Sequence, residues 1–143
     1  MAKVLCIVRS STEAQEIESQ KKELIEFCKT KGFADGDMLF IEAQGASARS
    51  LNKLYLKMLE DIKSTILNDS EIKSVAVWAL NRLGRVESKL HEMKEFFVKN
   101  RIQVYCKDPS FSLLKEDGTE DTAGSMMFSV YAAMVKLDTE EMF

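Results

Sequence analysis

Val4, Leu5, Cys6, Ile7 and Val8 form an unbroken apolar run close to the start of the chain. So short a run reads as a strand buried on both faces, the condition of a central strand in a parallel sheet. Arg9 ends it. Ser10, Ser11 and Thr12 are residue types that cap helices, and Glu13, Ala14, Gln15 and Glu16 follow as helix formers with acids in the first turn. A strand, a polar turn and a helix in that order put Arg9 and Ser11 at the carboxyl edge of a sheet, where open α/β sheets place ligands. Ser11 offers a hydroxyl nucleophile near a fixed positive charge, and the free N–H groups of a helix start favour an anion such as phosphate. Helix capping by Ser11 or Thr12 accounts for the same residue types, so both readings stand on this stretch alone.

The pattern then alternates. Glu18 to Lys31 has the spacing of an amphipathic helix, with Leu24, Ile25, Phe27 and Cys28 among its apolar positions and Lys31-Gly32 as its stop. Met38 to Ile41 reads as a second strand, running into EAQGASARS, where Arg49 either swings toward an anion or sits in a plain connector. Leu51 to Leu67 is helical, Lys73 to Leu80 strand-like, Ser88 to Lys99 helical and Arg101 to Cys106 strand-like. This order predicts an α/β fold: a mostly parallel central sheet of about four to five strands with flanking helices and a long C-terminal helix. Lys107 to Gly118 reads as a charged, mobile loop. Thr119 or Thr122 is the expected N-cap of the last helix, whose Ala123, Met126, Met127, Val130, Tyr131, Met134 and Leu137 fall on one broad stripe. A stripe so rich in methionine is expected to serve in part as a subunit interface. Its pattern reaches Phe143 without a stop, so a truncated helix is expected.

The 143 residues fit one domain, and 45% hydrophobic with 30% charged residues marks a globular chain. A net charge of -3 argues against this segment gripping DNA strongly by itself. Cys6, Cys28 and Cys106 lack metal-ligand spacing and are expected to be reduced and mostly buried. His91, the single histidine, has no partner at ligand spacing and reads as a solvated helix residue. No signal peptide or membrane-spanning run is apparent, which points to the cytoplasm.

Directly after the third predicted strand comes Asn81-Arg82-Leu83-Gly84-Arg85. In a parallel sheet this loop lies beside the Arg9/Ser11 turn, so Arg9, Arg82 and Arg85 can converge on one anion. Guanidinium forks match phosphate oxygens and would stabilise the added charge of a pentacoordinate phosphorus. Surface ion pairs of Arg82 and Arg85 with Glu87 or Glu92 are the plainer alternative.

Together, Ile7-Val8-Arg9-Ser10-Ser11-Thr12 with Gln15, the GASARS loop, and Leu80-Asn81-Arg82-Leu83-Gly84-Arg85 resemble the serine recombinases, the resolvase/invertase family and its larger integrase relatives, over nearly the whole chain. The resemblance implies a recombinase catalytic domain spanning 1–143, with a C-terminal DNA-binding domain absent from this sequence. It implies that Ser11 attacks a DNA phosphodiester and becomes linked to the 5′ phosphate, without metal or other cofactor. Arg9, Arg82 and Arg85 match the family's phosphate-binding arginines and Arg49 its mobile-loop arginine, although Asn52-Lys53 offers another alignment. Gln15, Gln20 and Asn81 match supporting polar positions. The expected partners are DNA, held mainly by the missing domain, and further copies of the chain, joined through the C-terminal helix as dimers and tetramers. Ile7 replaces the family's usual aromatic, Asn81 replaces the aspartate of small resolvases, and Asp138 stands where glutamate is usual. Two rivals remain: a catalytically silent recombinase-like module, and an unrelated flavodoxin-like domain binding a small phosphate ligand, for which no glycine-rich phosphate loop is present.

Overall fold

The computed structural model describes residues 2–10, 14–44, 53–84, 86–108 and 110–141. Its centre is the strand read first from the sequence, β1 (Lys3–Ser10), followed by helix α1 (Ala14–Thr30), β2 (Met38–Gln44), α2 (Lys53–Asn68) and β3 (Ile72–Val77). After a short 3-10 turn at Leu80–Arg82 come α3 (Glu87–Lys99), β4 (Gln103–Cys106), β5 (Phe111–Ser112) and α4 (Thr122–Glu141). The five strands lie in the order β2-β1-β3-β4-β5, parallel except for the antiparallel β5. Because β1 pairs with β2 on one side and β3 on the other, the topology reverses between β1 and β3. Such reversals open the crevice at a sheet's carboxyl edge.

Alternation along β1 feeds two cores. Leu5 and Ile7 pack with α2, α3 and α4 through Tyr55, Ile62, Leu90, Phe97 and Phe128, whereas Val4, Cys6 and Val8 pack beneath α1 against Ile17, Leu24, Phe27 and Cys28. Burial on both faces explains why the run has no polar alternation. The three cysteines are free and buried, as expected; Cys6 and Cys28 bring their sulfur atoms within 3.6 Å across the β1–α1 interface. Their hydrogen bond and their burial push the Cys6 thiol up, and burial pushes Cys106 up to about 12, so both stay protonated at neutral pH.

The segment after β4 departs from its reading as a mobile loop. Phe111–Ser112 pairs with β4, Leu113 and Leu114 are buried, and Gln103 clamps both the N–H and the carbonyl of Leu114. Nor is α4 capped by Thr119 or Thr122. Asp121 Oδ2 accepts the Gly124 N–H at 2.9 Å, the N-cap geometry, while Thr119 closes a separate turn with Asp117.

The faces of α4 also differ from the single stripe expected. Phe128 and Ala132 enter the core, while Met126 (61% exposed), Val130 (52%) and Met134 (58%) lie on an outer apolar face. A helix apolar on two sides gives no single stripe in sequence, so the inward face is chosen by what α3 and β5 offer it.

Gly124 is where α4 meets β5 most closely: a Cβ there would lie 1.8 Å from the Ser112 carbonyl oxygen. Alanine in a helix gains about 1 kcal/mol over glycine, but overpacking against a backbone that cannot rotate away costs roughly 1–3 kcal/mol or more. Gly124→Ala is therefore expected to destabilise the domain by about 2 kcal/mol, measured as a lower urea midpoint with an unchanged slope. An unchanged or raised midpoint would show that α4 is not held this closely to β5.

Candidate active site

Arg9 sits at the end of β1, two residues past Ile7, which is in register with Val77 of β3. The chain beyond β3 therefore passes beside it. Arg9 is only 7% exposed, and a buried guanidinium must be satisfied. Its Nη2 donates to the Asn81 carbonyl at 2.6 Å and its Nε to the Arg82 carbonyl at 3.3 Å. Arg82 returns the contact, donating from Nη1 to the Arg9 carbonyl at 3.3 Å. Gln20, buried on α1, donates from Nε2 to the same Arg9 carbonyl at 3.1 Å. Strand end, 3-10 turn and first helix are thereby tied at one point.

Arg82 thus lies beside Arg9 at the carboxyl edge, where parallel pairing of the two strands was expected to bring them, and Gln20 and Asn81 lie next to them. Among the described residues, the Oδ1 of Asn81 is buried and accepts no hydrogen bond. Ser11, Arg49 and Arg85 lie outside the described residues, and Gln15 lies in α1 with its side chain outside the description. Of the plainer alternative for Arg82, the structure shows Glu92 beside Lys63 and Lys89 and Glu87 beside His91.

A residue the sequence reading assigned only to the core proves to shape this turn. Tyr55, fully buried on α2, donates its hydroxyl to the Leu83 carbonyl at 3.2 Å. Gly84 has φ +148°, and a Cβ on it would lie 1.9 Å from the Tyr55 oxygen. Glycine is required here because the phenol fills the space where a side chain would begin. Burial pushes the phenol up to about 12, against the opposing pull of the Arg9 guanidinium, so Tyr55 remains a neutral donor. In sequence it looks like any aromatic on an amphipathic helix; only the glycine in Leu83-Gly84-Arg85 hinted at a close approach.

Chemically, the site offers two guanidinium-bearing residues with interlocked backbones at a sheet edge, with little freedom to reorganise. Such a fixed positive field suits an oxyanion whose charge grows during reaction.

The family described as "Resolvase, N terminal domain" matches this chain over residues 4–142. Among solved structures, the chain is similar to the N-terminal catalytic domain of TP901-1 integrase, at 22% identity and TM-score 0.70 with 99% of each chain covered. It is also similar to a resolvase family site-specific recombinase from Streptococcus pneumoniae, at 23% identity and TM-score 0.57, covering 99% of this chain and 91% of that one. At these identities the two likenesses speak to the fold. Comparison with curated protein sequences found no match.

Tyr55→Phe keeps the ring and removes the donor, leaving the Leu83 carbonyl without it. A loss of about 1–2 kcal/mol is expected from equilibrium denaturation. No loss would mean that the hydroxyl does not hold the turn.

Proposed function

Because this chain belongs to the resolvase family through its N-terminal domain, we propose that it is the catalytic domain of a site-specific DNA recombinase that cleaves and rejoins strands through serine. The observation that carries the reading is the interlocking of Arg9 and Arg82 at the end of β1, Arg9 standing two residues before the candidate Ser11 hydroxyl in sequence.

In this reading the Ser11 hydroxyl attacks a backbone phosphorus. An O–P bond to serine forms, the P–O3′ bond breaks, and the 3′ oxygen leaves with a proton. The DNA keeps its 5′ phosphate as a phosphoserine ester. Rejoining is the reverse, with a 3′ hydroxyl from another strand as attacker, so the energy of the broken bond is conserved. Arg9, Arg82 and Arg85 stabilise the pentacoordinate phosphorus, and Arg49 closes on it from its loop. Gln15, Gln20 and Asn81 orient these groups, and the cycle uses no metal. Two copies pair through the outer apolar face of α4, a role supported by the exposure of Met126, Val130 and Met134. Most DNA affinity comes from a C-terminal domain beyond these residues, in keeping with the net charge of -3.

A second reading has one specific observation behind it. Asn81 stands where small resolvases have aspartate, and its buried Oδ1 accepts no hydrogen bond among the described residues, which a domain persisting only as a dimerisation module would tolerate.

A nicked suicide substrate carrying the recombination site separates the two. The full-length protein is expected to form a covalent adduct on a denaturing gel, abolished by Ser11→Ala and retained by Ser10→Ala. Arg82→Ala should slow adduct formation by about 10²–10³-fold, the usual cost of removing an electrostatic donor from a transition state. Site binding without any adduct would support the silent module.

A further inference from the structure

Beside Arg9 and Arg82 the carboxyl edge carries a further cation that the catalytic reading leaves unused. Trp78 follows the last residue of β3, and the chain after β4 stays paired with it: the Lys107 N–H donates to the Val77 carbonyl at 3.2 Å and the Asp108 N–H to the Trp78 carbonyl at 2.8 Å. This extra rung holds the Lys107 backbone fixed at the edge. Its side chain then lies over the Trp78 indole, with Nζ 4.3 Å from the ring centroid. An ammonium over an indole face is attracted by the ring's quadrupole, so a normally flexible lysine gains a preferred position. Lys107 is exposed, and no carboxylate of a described residue, Asp108 included, lies within ion-pair distance of it. In contrast, Lys3, Lys21, Lys29, Lys57, Lys63, Lys89 and Lys94 each face a carboxylate.

Its location gives this held cation a use. Arg9 on β1 and Lys107 after β4 flank the β3 extension from opposite sides at the same edge, separated by two strand spacings, roughly 10 Å. A phosphate held at Arg9 and Arg82 belongs to a polyanion with a charge every few ångströms, so Lys107 faces the same backbone. We propose that Lys107, propped on Trp78, is a DNA-backbone contact that positions the duplex over the Arg9–Arg82 site. A lysine acts here as a point charge; it fixes register on the backbone and carries no base specificity.

The inference rests on the recombinase reading in taking DNA as substrate, and two separate readouts keep their failures apart. The full-length protein, wild type and variant, is titrated with target duplex across a range of salt, and adduct formation is followed on the suicide substrate. Lys107→Ala is expected to lower the slope of log K against log salt by ~0.9, the loss of one phosphate contact. It should weaken target and unrelated DNA alike. Its cost should fall mainly on the protein concentration needed for half-maximal adduct, and Lys107→Arg should restore the slope. Trp78→Phe keeps an aromatic face and should bind as wild type, whereas Trp78→Leu should shift affinity in the direction of Lys107→Ala. If wild type forms the adduct while Lys107→Ala keeps the full slope, this contact is overturned and the recombinase reading stands. A Trp78→Leu protein indistinguishable from wild type overturns the indole's part. If wild type neither binds DNA nor forms the adduct, the recombinase reading falls and takes this inference with it.

Discussion

Arg9 and Arg82 each send a guanidinium to the other's backbone carbonyl, and that exchange joins the end of the first strand to the turn after the third. A hydrogen bond from a charged donor is worth about 1.5–3 kcal/mol, and leaving its buried partner unmet costs a comparable amount. The clasp therefore holds the carboxyl edge together as well as charging it. Asn81 is fixed by the same contact, through its carbonyl, and Gln20 brings the first helix to the same carbonyl of Arg9. Structure and proposed chemistry draw on the same guanidiniums, so substitutions at Arg9 will change both at once.

The rest of the fold keeps this clasp in place. Placing β1 between β2 and β3 requires a strand apolar on both faces, and the same placement puts Arg9 at the point where the topology reverses. From the opposite face, α2 contributes the Tyr55 phenol beneath Gly84, which sets the path of the turn that carries Arg82. Further along the edge, the rung from Lys107 and Asp108 to the end of β3 adds a cation on an indole. Three elements from both sides of the sheet thus converge on a few residues of loop.

Much of this was legible from the chain. A continuous apolar run has few fates, and parallel pairing places the ends of two such strands side by side, so Arg9 and Arg82 could be brought together without coordinates. What the guanidiniums bond to was not legible, because backbone carbonyls leave no mark in a sequence. Tyr55 was legible as core and not as a support, since its role depends on one hydroxyl meeting one glycine from a distant segment. The two-residue β5 escaped because its pairing depends on the Gln103 clamp and on neighbours already in place. In α4, Thr119 and Thr122 are residue types that cap helices as readily as the Asp121 that does so, and two apolar faces concealed which one turns inward to Phe128 and Ala132. Ser11, Arg49 and Arg85 lie outside the described residues, so their roles rest on the family motif.

In the proposed reaction the field of Arg9 and Arg82 serves a serine that bonds to DNA phosphorus. The measurement that meets it most directly is mass spectrometry of the peptide attached to cleaved DNA, with nuclease trimming to identify the linked end. A 5′ nucleotide phosphate esterified to Ser11 is expected. A linkage to tyrosine, or to a 3′ phosphate, would contradict it.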